Sequence, residues 1–226
     1  MGKRVSKNDI RKVPMAKIIY DMAGKYNAYE IFMDWITCFA ISISNSLGMI
    51  HDEVWNEREE HYLQIMKKYN EKERAKFGEL VAMLIEELEN DPRDVLGECF
   101  MFSGMGSDAG GQFFTPYHVS QLLANLDLEQ YTDGEPVTLA EPSCGSGGSI
   151  IAAAMALKEK GINYQKTMKV VAQDLDWKCV HMCYVQCSLL GIDAICVQGD
   201  TLSKPYIKGY PRRQIMRTPA NVGALI

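Results

Sequence analysis

One octapeptide constrains this chain more than any other feature: Glu141-Pro142-Ser143-Cys144-Gly145-Ser146-Gly147-Gly148, set between an apolar run at 137–140 and a helix-forming run at 149–158. Apolar run, glycine-rich turn and helical run, in that order, mark a β-strand that hands over to a helix through a tight loop. Glycines at 145, 147 and 148 let the backbone pass close to a ligand. The helix start offers unpaired N–H groups and the positive end of a dipole to an anionic group. The acid that closes the strand calls for a ligand that also carries a cation or hydroxyls.

Around this loop the chain divides near 104–111, where Gly104-Met105-Gly106-Ser107-Asp108-Ala109-Gly110-Gly111 breaks all periodicity. Upstream, Phe77, Leu80, Val81, Leu84, Ile85 and Leu88 fall on one face of an amphipathic helix, with Glu79, Glu86, Glu87 and Glu89 turned outward. Pro92 ends that helix, and 94–102 forms another short one. Downstream, strand-like runs at 137–140, 168–172 and 194–197 alternate with helical runs at 149–158 and 177–190. That alternation predicts parallel strands joined by helical crossovers. The expected architecture is α/β, with an all-helical N-terminal domain at 1–106 and a Rossmann-like core at 107–226. If the sheet ends soon after 197, its last strand has an exposed edge, and either the C-terminal tail or another subunit is expected to cover it.

A formal charge of −5 over 226 residues makes a stand-alone DNA clamp a poor reading, because Lys and Arg supply most non-specific affinity for phosphates. Seven cysteines lack the paired spacing of a secreted scaffold, and the basic residues Lys3, Arg4, Lys7, Arg11 and Lys12 are not followed by an apolar core segment. The expected setting is a reducing cytoplasm. The most apolar stretch, 31–47, contains Asp34 and falls short of the roughly 20 residues a membrane span needs. It reads as a buried helix ended by Gly48.

Three further elements flank the glycine loop at positions that suit a nucleoside site. In Gln112-Phe113-Phe114-Thr115-Pro116-Tyr117, Thr115 is placed to cap a helix whose first position is Pro116. In Gln173-Asp174-Leu175-Asp176, Asp174 ends the second strand, where an acid reaches ribose hydroxyls, while Asp176 caps the next helix. In Gly199-Asp200-Thr201-Leu202, Asp200 follows the third strand and is positioned to accept from an adenine amino group. Glu141, Asp174 and Asp200 are therefore expected along one crevice. An ammonium, a carboxylate and a ribose in one ligand describe S-adenosylmethionine better than a nucleotide polyphosphate.

The succession FFTP, EPSCGSGG, QDLD, GDTL resembles the adenine-specific DNA methyltransferases, above all the modification subunits of type I restriction–modification systems. The segment Asp94-Val95-Leu96-Gly97-Glu98-Cys99-Phe100 is similar to the helix that precedes the methyltransferase core in those subunits. The resemblance covers 94–202 strongly. It implies a methyltransferase core with S-adenosylmethionine as cofactor, incomplete at its C-terminal side. Gln112, Phe113, Phe114, Thr115, Pro116 and Tyr117 would form the cofactor-contacting segment, and Ser146, Gly147 and Gly148 the turn over the methionine moiety. Asp174 would be the ribose acid, Asp200 would lie near the adenine ring, and Glu141 stands where the family more often has Asp.

The same resemblance implies an Asn/Asp-Pro-Pro-Tyr/Phe element that holds the target amino group, and none occurs in the sequence. Lys204-Pro205-Tyr206 lacks the amide or acid, and Asn221 follows its proline instead of preceding it. No residue of this chain is therefore expected to be catalytic. The chain reads either as a piece of a longer enzyme or as a shortened relative that binds the cofactor, reaching DNA through a specificity subunit or a further segment. Two other readings stay open. One is a non-enzymatic subunit that docks a partner or a second copy; the other is a nicotinamide-dependent oxidoreductase built on the same strand, loop and helix.

Cys179, Cys183 and Cys187 form a stripe at i, i+4, i+8, which reads as core packing and not as a metal site. The four histidines show no ligand spacing. Lys204, Lys208, Arg212, Arg213 and Arg217 form a basic cluster that reads either as a phosphate-contacting patch or as a solvated tail.

Overall fold

The computed structural model describes residues 13–102, 114–132, 135–206 and 210–223. The first stretch is helical: α1 (Pro14–Met22), α2 (Ala28–Ser46), α3 (Glu53–Met66), α4 (Glu71–Asn90) and α5 (Val95–Phe102). Local chemistry sets these boundaries. Asn27 with Glu30 and Asn70 with Glu73 form capping boxes at the starts of α2 and α4, and Asp52 caps α3 through the Trp55 amide. The acid inside the apolar run is also explained. Asp34 accepts from Lys68 Nζ at 2.9 Å and from the Tyr69 hydroxyl at 2.8 Å, which pins α2 to the end of α3.

The second stretch builds the sheet. After α6 (Tyr117–Asp127) come β1 (Val137–Glu141), α7 (Gly148–Glu159), α8 (Tyr164–Thr167), β2 (Met168–Asp174), α9 (Trp177–Leu189) and β3 (Asp193–Gln198). A 3-10 turn at Arg212–Gln214 leads into β4 (Ile215–Arg217), and a second follows at Ala220–Val222. Sheet order is β1-β2-β3-β4, with β1, β2 and β3 parallel and β4 antiparallel to β3. Each strand and helix expected downstream of residue 111 forms within a residue or two of its expected bounds, and β4 is added.

The tail covers the edge of β3. Ile195, Cys196 and Val197 pair with Arg217, Met216 and Ile215, and Thr218 Oγ1 donates to Ile192 O at 2.7 Å while receiving the Ala194 amide at 2.9 Å. The open edge is at β1, which among the described residues pairs with β2 alone and is exposed or half-buried along its whole length. The basic cluster is no free tail. Arg212 pairs with Asp52 at 2.7 Å, Arg213 with Glu57 at 3.4 Å, and Arg217 donates to Asn221 Oδ1 at 2.9 Å. Lys204 lies 4.6 Å above the Tyr210 ring, and Lys208 falls outside the described residues. From the other side, Arg58 of α3 donates to Ile215 O at 2.7 Å.

Helix α9 is the centre of the molecule. It contacts β2 and β3 on one side and α2 on the other, so every residue from Cys179 to Ser188 is buried. The cysteine stripe is part of this core, with Cys183 and Cys187 sulfurs 3.9 Å apart. One continuous set of buried side chains runs from Met15 to Met216, and the expected domain boundary at 106 lies outside the described residues. No described helix is long and apolar enough to cross a membrane.

Candidate functional site

Strand register decides what meets at the carboxyl ends of the sheet. Glu141 lies opposite Ala172, so β2 runs on past β1 to Asp174, which lies opposite Gln198. The overhang of β2 holds the glycine loop by two bonds. The Cys144 amide donates to Gln173 O at 2.9 Å, and the Gly145 amide to Asp174 Oδ2 at 2.9 Å. Two left-handed glycines, Gly145 at φ 52° and Gly147 at φ 99°, then turn the chain into α7. Gly147 has little room for a side chain, since a Cβ there would lie 3.3 Å from Cys183 Cα and Sγ.

The start of α7 has no side-chain cap, and its first backbone bond runs from Ile151 N–H to Gly147 O. The amides of Gly148, Ser149 and Ile150 therefore stand outside the helical ladder at the positive end of the dipole. Gly148 and Ser149 border a cavity of about 250 Å³ lined also by Asp94, Phe114, Thr115, Ser120, Ser146 and Asp174, among others. Among the described residues, two carboxylates and no Lys, Arg or His line it. Ser120, one of the lining residues, is only 3% exposed, and its Oγ has no hydrogen-bond partner among the described residues.

The expected site residues separate into three groups. Phe114, Thr115, Ser146, Gly148 and Asp174 line this cavity, and Gly147 shapes its loop from behind. Pro116 and Tyr117 face a neighbouring cavity of about 480 Å³, which shares Asp94, Phe114 and Thr115 with the first. Glu141 and Asp200 line neither. The Glu141 carboxylate turns back to accept the Ser143 amide at 3.2 Å, and burial, opposed by that amide and the Ser149 hydroxyl, pushes its pKa up. Asp200 is exposed and closes its own turn, accepting from Ser203 Oγ at 2.8 Å and the Leu202 amide at 3.0 Å, which hold its pKa below the usual carboxylate range. Its neighbour Thr201 ties that turn to the glycine loop through Pro142 O at 2.6 Å. Gln112 and Phe113 lie outside the described residues.

One local expectation is corrected. Pro116 has ψ 133°, which is extended backbone, so α6 begins at Tyr117 and Pro116 itself is the N-cap, with no side-chain hydrogen bond from Thr115. Thr115 is thereby left to face the cavity. Asp176, by contrast, caps α9 as expected by accepting the Lys178 amide at 3.0 Å.

Sequence reasoning missed four residues. Ser120 and Cys179 line the cavity, and Asp94 lines both cavities from the end of the helical region. Gln186 reaches Asp94 and Ser146 from α9. A glutamine between two cysteines of the core stripe was the signal available for the last of these.

No curated protein matches the chain. Among solved structures, one described as the crystal structure of DszA carbon methyltransferase aligns over 89% of this chain and 64% of that one, at 11% identity and a TM-score of 0.27. This chain thus spans less than two thirds of that protein, and a likeness of that grade adds nothing to the fold described above. The N-6 DNA methylase family model matches residues 93–220, from the residue before Asp94 to the turn after β4 and so more than half of the sequence. The match takes in the glycine loop, Asp174 and the cavity between them, and the chain belongs to the N-6 DNA methylase family.

Proposed function

We propose that the cavity under the glycine loop binds S-adenosylmethionine and that this chain is the cofactor-binding part of a DNA adenine methyltransferase of the type I restriction–modification kind. One observation carries the reading: the glycine loop, Thr115, Asp174 and Ser120, whose hydroxyl has no partner among the described residues, line a single cavity whose wall holds, among the described residues, two carboxylates and no cation. The free first-turn amides of α7 suit the carboxylate of an amino acid. Asp174 suits its ammonium and the neighbouring sulfonium. Asp174 is also the acid within reach of ribose hydroxyls at the strand end. Among the described residues a pyrophosphate would meet two carboxylates and no Lys or Arg, which disfavours a nicotinamide dinucleotide.

When bound, S-adenosylmethionine supplies a methyl group activated by its positive sulfur. The residues of this chain bind and orient it. Methylating adenine further requires an extruded base held in line with that methyl, because the exocyclic amine is a poor nucleophile. No Asn/Asp-Pro-Pro-Tyr/Phe element is present in the sequence to hold it. We therefore assign cofactor binding to this chain and base positioning to a further segment or partner, with the open edge of β1 as the place where an added strand joins the sheet.

Parallel calorimetric titrations with S-adenosylmethionine and NAD test the cofactor. Saturable heat with the former alone is expected, and tight NAD binding without it would sink the proposal. Incubation with methyl-labelled cofactor and adenine-containing DNA tests the division of labour. Label appearing in DNA from this chain alone would show that base positioning resides here.

A further inference from the structure

Two glycines and one glutamine stand where local rules do not favour them, and all three converge on Asp94. Gly97 lies inside α5, where glycine weakens a helix relative to alanine. Gln186 lies in α9 between Cys183 and Cys187 and is fully buried, and Gly148 opens α7 without a cap. Asp94, 3% exposed, sits among them. A Cβ on Gly97 would lie 2.1 Å from Asp94 Oδ2 and 2.5 Å from Ser146 Oγ, and one on Gly148 would lie 2.9 Å from Asp94 Oδ2. The glycines are there so that the carboxylate can pass between α5 and the loop.

The polar groups at this junction are all paired. Asp94 Oδ1 accepts the Gly97 amide and Gln186 Nε2, each at 2.9 Å, while Oδ2 accepts Ser146 Oγ at 2.6 Å. Gln186 Nε2 donates a second time, to Ser146 O at 2.8 Å, and its Oε1 accepts the Leu96 amide at 3.1 Å. Ser146 is thus gripped by both its hydroxyl and its carbonyl. Burial pushes the Asp94 pKa up, and the three donors oppose that.

We infer that Asp94 and Gln186 are positioning residues: a buried bracket that fixes Ser146, and with it the glycine loop, to the helical region, so that ligand affinity at the loop depends on α5. As an account of cofactor affinity this rests on the S-adenosylmethionine reading; as an account of the loop it does not. The contacts join residues 52 and 92 positions apart, so the bracket forms only when the helical region and the sheet are docked.

Hydrogen exchange on the full chain, read at the amides of Gly145 and Gly147, measures the loop, and calorimetry with S-adenosylmethionine measures the site. Gln186→Met keeps the volume and deletes three hydrogen bonds. Together with Asp94→Ala it is expected to speed exchange at both amides and to raise Kd, each by about tenfold or more, the loss that one buried hydrogen bond produces. Asp94→Asn, whose amide oxygen still accepts from Gly97 and Gln186, is expected to do less. Leu84→Val trims a fully buried side chain of α4 that belongs neither to the bracket nor to the cavity lining, and is expected to lower Tm with both readouts unchanged. Wild-type exchange in Gln186→Met overturns the inference. So does equal acceleration in Leu84→Val, which makes the effect one of general stability. Should the wild-type chain give no heat with S-adenosylmethionine, the cofactor reading falls, and loop exchange alone decides whether the bracket exists.

Discussion

The carboxylate of Asp174 accepts the Gly145 amide at 2.9 Å, so the end of one strand holds the turn that follows its neighbour. Its other oxygen, Oδ1, accepts the Asp176 amide at 3.0 Å. Each oxygen therefore faces a backbone N–H, and the residue organises two loops besides facing the cavity.

Asp174→Asn is consequently not a conservative change. An amide offers one oxygen, so its NH₂ must face either Gly145 N–H or Asp176 N–H, setting donor against donor. We expect a loss of about 1 kcal/mol in urea unfolding, the lower end of the cost of an unsatisfied polar group because Asp174 is half-buried, and at least a tenfold weaker S-adenosylmethionine titration. Asn behaving like wild type in both measurements would leave Asp174 with neither role.

Gly147 and Gly161 separate contact from backbone strain. Both have positive φ, 99° and 78°, but a Cβ at 147 meets Cys183 at 3.3 Å while one at 161 meets nothing within 4 Å. Gly161→Ala is expected to cost about 1–2 kcal/mol from the left-handed backbone alone. Gly147→Ala is expected to cost more and to abolish cofactor binding, because the loop must shift off α9. Equal costs, read from chemical denaturation, would show that the packing against Cys183 has slack.

How far these features were legible in the sequence depends on their range along the chain. The loop and its flanking strands announce themselves through neighbouring residues: an apolar run, three glycines, a helix-forming run. Cys179 to Cys187 reads correctly as core for the same reason, since a stripe at helical spacing needs only local geometry. The bracket was invisible because its partners lie far apart in sequence and no spacing rule connects Asp94 to Gln186. β4 was missed because three residues, Ile215–Arg217, carry no periodicity of their own and become a strand only against β3. The expectation for Thr115 failed by a single torsion: proline fixes φ but leaves ψ free, and Pro116 took the extended value. Asp200 follows its strand as Asp174 does, yet Ser203 and Leu202, close behind it, claim its oxygens first.

Ser120→Ala should uncouple stability from binding. The hydroxyl is buried without a partner among the described residues, so its removal relieves a desolvation cost and is expected to leave stability unchanged or raise it by about 1 kcal/mol. If that hydroxyl serves a ligand, the same change weakens S-adenosylmethionine binding by about three- to tenfold, one hydrogen bond's worth. A thermal melt and a calorimetric titration on one variant decide it, and unchanged affinity removes Ser120 from the site.

His181 gives the fold a pH dependence of known sign. It is 8% exposed on α9, hydrogen-bonded through Nδ1 to Thr37 Oγ1 at 3.2 Å, and burial, with lesser contributions from His61 and Arg58, pushes its pKa down to about 3. An unfolded chain takes up that proton near pH 6.5 and the folded one does not. Stability is thus fully present above pH 6.5 and is lost as pH falls toward 3, at about 1.4 kcal/mol per pH unit. Urea unfolding between pH 5.5 and 4 is expected to show this slope, and His181→Gln to flatten it. A slope that survives the substitution would place its origin in another group.

The contacts between the helical region and the C-terminal tail are unequal, and Arg58 carries most of their weight. Arg213 is 59% exposed and its pair with Glu57 spans 3.4 Å, an arrangement worth about 0–1 kcal/mol. Arg58 is half-buried and donates to Ser44 Oγ at 2.6 Å and to Ile215 O at 2.7 Å, the latter on β4 itself. Charged hydrogen bonds of that kind are worth about 1.5–3 kcal/mol, and deleting the donor leaves the Ile215 carbonyl to find water. Arg58→Met is therefore expected to lower unfolding stability several times more than Arg213→Ala and to speed amide exchange at β4 and along the covered edge of β3. Raising salt weakens exposed pairs far more than buried ones, so the Arg213 effect should fade in 0.5 M salt (roughly a 4–5 Å screening length) while the Arg58 effect persists. A common salt response would mean that both act as surface charges, and the attachment of β4 would then rest on Thr218 and the strand pairing with β3 alone.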